Sequence, residues 1–386
     1  VTAGTTVETI DSAAAFGELA GAWTALLAAS PSGGLFLTWE WLFTWWKHLA
    51  GRRRLSILAV RARGELIALA PLAARPHPLP RAVAVPALEF LGTGTVGSDY
   101  LDLIVRPGHA AEAIRALAAW AADGDAVVRL AQVHAAGASV WGLAAELGRR
   151  DWSVRSARTS VCPFVDLAGH TWESYLETLG PAHRYNVRRR LRQLEGRGRL
   201  TFQRVETEAE RAPALRELVA LHQLRWRPRG GSCAFASPAL VDFHEELSRL
   251  ALARGWLRLY TLRLDDQPLA AVYGFRYRDT FCFYQSGFDP RHARTSVGLV
   301  AVGLSIKAAI DEGATEYDFL HGDEAYKFQW ARRTRDLCRL ELYPPHVRGR
   351  LYRQAVEANR AARRVARRLL PEAVAHRLAA GLGIGG

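Results

Sequence analysis

The feature that most constrains this 386-residue chain is a pattern of strands and one helix that occurs twice. LSILAVRARGELIALAPL in the first half and LRLYTLRLDDQPLAAVYGF in the second each place two apolar runs around a polar turn. The turns, Arg63-Gly64 and Asp265-Asp266-Gln267, predict two β-hairpins. In the first copy, further strands are expected at 85–91 and 100–105, then a helix over 109–122 and a strand at 126–133. In the second copy a strand at 280–286, a helix from Gly298 and a strand at 316–320 follow the hairpin. Gly108 and Gly124 bracket the first helix, and Gly298 and Gly313 the second. A strand–helix–strand crossover implies parallel pairing, so each copy is expected to be a mixed sheet flanked by helices. The period is too long for a solenoid. The reading is therefore α/β, with one unit over 1–155, a second and presumed catalytic unit over 156–345, and a tail over 346–386. The boundary is expected near 151–159.

Charge refines this organisation. The formal charge is +13, yet lysine occurs only at Lys47, Lys307 and Lys327. The dominance of arginine, with no Met, reads as coding bias, and Val1 as a GTG start. A basic chain first suggests a nucleic-acid binder. The tail, however, holds nine arginines against Glu357 and Glu372, a net +7 that is more than half of the total. Leu351, Ala355, Ala362, Val365 and Leu369 recur at helical spacing, which predicts a basic helix docking through that stripe. The alternative is a weak attachment to an anionic membrane surface. A second basic helix is expected over 181–199, with Val187, Leu191 and Leu194 packing and Arg184, Arg188 and Arg192 along a neighbouring face.

Other patterns limit the class of protein. Cys162, Cys233, Cys282 and Cys338 lack metal-ligand spacing, and three of them lie in apolar strand-like runs, so reduced thiols and no metal are expected. The segment 12–30 reads as an amphipathic helix and not as a signal peptide. No apolar run reaches the length of a membrane span. A cytoplasmic protein, at most peripheral to the inner membrane face, is expected. The tryptophans at 39, 41, 45 and 46 are expected in the core or between the units.

The chemistry-bearing segment is 283–330. It places a strand, a polar loop, the helix from Gly298, a second strand and an acidic-aromatic loop in succession. A helix N-terminus beside a strand end is a natural seat for phosphate, and Arg291, His292 and Arg294 lie just before it. An ordinary crossover, with Gly298 serving only packing, is the alternative. Asp318, His321, Asp323 and Glu324 cluster at the strand end, where groups for proton transfer can converge. Asp318 or Glu324 is the expected base, Tyr326 the expected proton donor. Lys327 stands out because lysine is so rare here, and it is expected to hold an acidic acceptor or a donor phosphate. His222 with Arg225, Trp226 and Arg227 forms a further basic-aromatic spot.

Three motifs carry a resemblance. Gly287-Phe288-Asp289 with the Ser296-Val297-Gly298 helix start, the strand Tyr317-Asp318-Phe319-Leu320, and Glu324-Ala325-Tyr326-Lys327-Phe328-Gln329-Trp330 resemble GNAT-fold acyltransferases of the CelD-like type. These are relatives of FemAB-type peptidyl transferases. Trp39-Glu40-Trp41 and Leu91-Gly92…Ser98-Asp99-Tyr100-Leu101-Asp102 are similar to the first-half signature of that family. The resemblance covers about 8–343 and implies tandem GNAT-like units. It implies acyl-CoA, acetyl-CoA foremost, as co-substrate, held by Arg291, Arg294, Ser296, Val297, Gly298 and Leu299. The loop Thr295-Ser296-Val297-Gly298-Leu299-Val300 keeps only the central glycine of the usual phosphate-binding motif. The resemblance also implies an amine or hydroxyl acceptor on a small molecule or a sugar or envelope precursor. Candidate acceptor contacts are His183, Arg184, Arg188, Arg225, Trp226, Tyr284 and Asp289. The alternatives are a FemAB-like aminoacyl-tRNA-dependent transferase and a non-catalytic protein binding RNA or a membrane surface.

Overall fold

The computed structural model describes residues 4–75 and 85–369. The expectations for Val1 and for the tail beyond Leu369 lie outside them. Both predicted hairpins form, and for the same local reason. Arg63 and Gly64 (φ 51° and 84°) and Asp265 and Asp266 (φ 48° and 67°) occupy the left-handed region required by two-residue turns that match strand twist. Each hairpin carries a register shift at the same distance before its turn, at Val60/Arg61 and at Leu262/Arg263. An outer strand, Thr5–Ile10 or Leu200–Arg204, pairs antiparallel with the first hairpin strand in each copy. The helix Ala110–Asp123 leads to the strand Val127–His134, which lies parallel to Ala87–Phe90. The helix Val297–Asp311 likewise leads to Glu316–Asp318, parallel to Thr280–Phe288. The sequence repeat is thus a repeat of structure.

The two copies are not separate bodies. The first hairpin sits in a four-stranded sheet, while the remaining strands form one eleven-stranded sheet that runs through both halves. Its centre is the pair Ser153–Asp166 and Arg333–Tyr343, joined along the whole second strand. Arg333–Tyr343 also pairs with Val127–His134, so the last strand of the second half completes the sheet of the first. The stretch 151–159, expected to be a boundary, therefore lies mostly within a 14-residue strand. Its side chains are largely exposed, so it lacks the apolar alternation by which a strand is read. Two other elements differ from expectation. The 12–30 helix breaks at Leu19 into Ala13–Glu18 and Ala20–Ala29. Only Ile104–Val105 remains of the strand expected over 100–105.

Packing brings the halves together around aromatic rings. Trp41, on the helix Trp39–Leu49, lies edge-on to Phe243, Phe275 and Tyr284 at 5.4–5.8 Å between centroids. Glu40 and Glu246 reinforce this seam through Arg254 (2.6 Å) and Lys47 (2.8 Å). Across the sheet, Phe281, Tyr317 and Phe319 pack in a second core with the helix Val297–Asp311.

The C-terminal helix, Val347–Leu369, docks on the sheet, but not through the predicted stripe. Tyr352 is buried with Tyr343, Val85 and Val127, and Val356 packs beside them. Glu341 accepts from Arg360, Arg155 pairs with Glu357 at 2.8 Å, and Arg353 donates to Ser153 at 2.8 Å. Leu351 and Val365 are 52% and 54% exposed. Ion pairs around a single tyrosine choose the packed face here, which apolar periodicity does not reveal. Among the described residues, no helix is long and apolar enough to cross a membrane.

Candidate active site

The parallel strands of the second half separate as they run. Thr280–Cys282 pairs with Glu316–Asp318, and beyond that point the strands diverge. Tyr284 is the extra residue where the pairing with the neighbouring strand shifts between Tyr273 and Gly274. Such a bulge bends a strand and re-aims its side chains. The wedge that opens is a cavity of about 220 Å³, walled by Phe283–Ser286 on one side and by Phe319, Leu320 and His321 on the other. Glu324, Tyr326, Lys327, Arg225, Trp226, Ser232, Cys233 and Ala234 complete the second-half lining. The first half contributes Thr95, Val96 and Gly97.

The group best placed for proton transfer is His321. Its Nδ1 lies 2.9 Å from the fully buried Asp99 carboxylate, which also accepts from the His321 backbone N–H at 2.9 Å and from Gln132 at 3.0 Å. The Asp99 hydrogen bond and charge hold His321 above the ordinary imidazole range. A buried carboxylate on one ring nitrogen orients the ring and leaves the other nitrogen for chemistry. Gly97 makes room for this ring, since a Cβ there would lie 3.1 Å from His321 Cε1. The first-half signature holds the partner in place. Trp41 Nε1 donates to Ser98 Oγ at 2.8 Å, and Ser98 Oγ donates to the Gly92 carbonyl at 2.7 Å, fixing the turn that ends at Asp99. Tyr100, Gln132 and Leu320 adjoin this pair with φ of 57–58°, rare for residues with side chains.

Replacing Asp99 by Asn tests the pairing. A base must be neutral to accept a proton, so the rate rises as pH passes its pKa. Without the Asp99 charge the imidazole loses its proton at lower pH. The rising limb of the pH–rate profile is expected to move acidward in D99N, together with a lower plateau.

The structure revises the expected roles. Asp318 does not line the cavity. It lies behind it at 1% exposure, accepting from Tyr100 (2.7 Å), the Leu320 N–H (2.7 Å) and Arg335 (3.3 Å). Burial pushes its carboxyl up to about 7, against the pull of those donors. Its oxygens are taken up by these donors, so it supports the loop floor. Glu324 lines the cavity, where burial would raise its carboxyl but Lys327 outweighs this and holds it below the ordinary range. That makes it a poorer base. Lys327 is not an exposed helix-start lysine: it lines the cavity, and the anion it holds in this structure is Glu324. It is buried and donates to the His321 carbonyl at 2.7 Å while pairing with Glu324 at 2.9 Å. Its charge closes the turn that carries His321. Gly322 is required in that turn by its φ of 126°, which residues with side chains rarely adopt. Tyr326 lines the cavity with its phenol pushed up by burial, so it stays protonated, as a proton donor must.

Among the expected acceptor contacts, Arg225, Trp226 and Tyr284 line the cavity. Arg225 donates to Ser286 Oγ at 2.9 Å, and Tyr284 donates to the Val96 carbonyl. His222 Nδ1 is 2.9 Å from the Ser286 carbonyl and Nε2 2.9 Å from Ser232 Oγ, so it braces the wall. Asp289 is instead buried, caps the short helix Pro290–Thr295 and pairs with Arg291 at 2.6 Å. His183 packs edge-on against Trp330 at 4.6 Å, away from the lining. Arg184 and Arg188 lie on the helix Pro181–Glu195, with Arg188 exposed.

At the expected phosphate seat several of the side chains are engaged elsewhere. Arg291 is already neutralised by Asp289, Val297 is buried, and a Cβ at Gly298 would meet the Phe288 ring at 3.3 Å. Gly298 therefore serves packing. Ser296 (φ 56°) turns the chain into the helix without a side-chain cap, while Arg294 is exposed and Leu299 half-buried.

Residues 181–328 match the acetyltransferase (GNAT) domain family. The chain therefore carries a GNAT acyltransferase domain, and its fold is of the GNAT/FemAB-like kind. The structure is similar to that of FemX, with a TM-score of 0.62 and 14% identity over 90% of this chain and 99% of that one. It is also similar to the C-terminal domain of a putative lysylphosphatidylglycerol synthetase from Agrobacterium fabrum. There the TM-score is 0.53 with 12% identity, over 89% of this chain and 96% of that one. L-PGS from Bacillus licheniformis follows at 0.51 and 13%, over 82% and 90%. No curated protein sequence matches the chain.

Proposed function

We propose that this protein transfers an acyl group to an amine or hydroxyl acceptor in the cleft between the diverging strands, with His321 as general base. The observation that carries this reading is the buried Asp99 on Nδ1 of a cavity-lining histidine. His321 Nε2 takes the acceptor's proton as its nitrogen or oxygen attacks the acyl carbonyl. A bond forms from the acceptor to the carbonyl carbon, and the bond from that carbon to the carrier breaks. The departing carrier atom takes a proton from Tyr326, which solvent replaces. Arg225 supplies positive charge to the wall where an anionic part of donor or acceptor would rest. An acyl-CoA donor, with a small-molecule or envelope-precursor acceptor, is the first form of this proposal.

An aminoacyl-tRNA donor is the second form. It is favoured by the helix Pro290–Thr295 standing where a basic phosphate loop would be, and by the basic helix Pro181–Glu195 with Tyr185 exposed. The name of one neighbour, a putative lysylphosphatidylglycerol synthetase, refers to a lysylated product and points the same way. A ligand that binds only the folded state raises its melting temperature in proportion to ln(1 + [L]/Kd). Acetyl-CoA, longer acyl-CoAs and charged tRNA are to be compared by thermal shift and by transfer to an amine. Stabilisation and transfer with an acyl-CoA supports the first form, and with charged tRNA alone the second. Transfer from neither donor class overturns the proposal.

A further inference from the structure

The C-terminal helix turns its apolar stripe away from the protein. Its packed side is Tyr352, Val356, Arg353 and Arg360. On the opposite side Val347, Leu351, Ala355, Ala358, Ala362 and Val365 follow one another at helical spacing, all exposed. Val347 is 71% exposed and Leu351 52%. The stripe extends about 27 Å along the helix at 1.5 Å per residue. Arg348, paired with Asp125 at 3.3 Å, lies along one edge, and Arg350 and Arg364 on the other side, all three exposed.

We infer that this face lies on an anionic lipid bilayer, with the stripe at the headgroup boundary and the flanking arginines on lipid phosphates. Interfacial helices combine an apolar side with a cationic polar side in this way. Charge selects this occupant over the alternatives. The helix Val347–Leu369 contains eight arginines against Glu357 as its one acidic residue. A second copy of the same stripe would bring two rows of arginine together and be repelled. A nucleic acid would use the arginines and leave the stripe in water. A bilayer uses both, and docking by the opposite face holds the helix ready without refolding.

The test uses the full chain in co-sedimentation with vesicles of phosphatidylglycerol mixed with phosphatidylcholine, and of phosphatidylcholine alone. Binding to the anionic vesicles is expected, falling with salt, and to be roughly tenfold or more weaker on neutral ones. L351E/V365E is expected to lose at least roughly tenfold in affinity. R350Q/R364Q is expected to bind more weakly and with a shallower salt dependence. Both variants change exposed side chains only, so a wild-type melting curve and wild-type acyl transfer are expected alongside. No binding to anionic vesicles, or equal binding by L351E/V365E, overturns the inference. So does a stripe-dependent self-association in place of lipid binding.

Discussion

Replacing His321 by Ala is expected to lower turnover by about 10²- to 10⁴-fold, the usual contribution of a positioned general base, while the protein remains folded. The two parts of this expectation have separate causes. His321 is 42% exposed at its side chain, so little packing is lost with the ring. The backbone turn survives because its ties are main-chain or belong to others. The His321 N–H still donates to Asp99, and Lys327 still donates to the carbonyl of residue 321. One new strain appears, since Asp99 loses the ring and keeps Gln132 and the backbone N–H as donors. Single-turnover transfer measured beside a circular-dichroism melt separates the outcomes. Unchanged turnover in a folded H321A protein removes His321 from the mechanism. Loss of fold in H321A would instead be checked with H321Q, which retains a hydrogen-bonding side chain of similar reach but cannot act as an imidazole base.

Replacing Gly287 by Ala is expected to destabilise the protein by at least about 3 kcal/mol, at the severe end for an overpacked core site. A Cβ on Gly287 would lie 2.3 Å from the His222 backbone nitrogen and 2.6 Å from the Leu221 carbonyl carbon. Both belong to the helix Glu208–Trp226, which cannot rotate a backbone atom aside as it could a side chain. That closeness is what delivers His222 to the Ser286 carbonyl and to Ser232 in the cavity wall. The comparison is Gly298→Ala, where the new Cβ meets the Phe288 ring at 3.3 Å and the ring has room to give a few tenths of an ångström. Thermal denaturation of the two variants should rank G287A far below G298A. Similar melting temperatures would show that the helix relaxes off the strand more easily than its contacts indicate.

These two glycines show where sequence reading stops. Gly287-Phe288-Asp289 and Gly298 are both visible as motif residues, and Gly298 invites a reading as a ligand contact. The structure gives each a packing role, one beneath a helix backbone and one against an aromatic ring. Lys327 is a similar case. Its rarity marks it as significant, and it is indeed at the cavity. Its ammonium is turned inward onto the His321 carbonyl and Glu324, which no count of lysines reveals. The signal that would have found His321 was present in two pieces, Ser98-Asp99-Tyr100 in one half and Leu320-His321-Gly322 in the other. They are 222 residues apart, and only the folded seam between the halves makes them a pair.

The linear chain settles what depends on neighbours along it. Polar two-residue turns between apolar runs produced both hairpins, and apolar helices bracketed by glycine produced both crossovers, because turn chemistry and periodicity act over a few residues. The tertiary structure decided which carboxylate is buried, which is paired, which helix face packs, and which histidine is oriented. Each of those depends on burial and on partners supplied from distant segments. Hydrogen bonds from Tyr100, the Leu320 N–H and Arg335 hold Asp318 behind the cavity, charge pairing turns Tyr352 inward and Leu351 outward, and a first-half aspartate orients a second-half histidine.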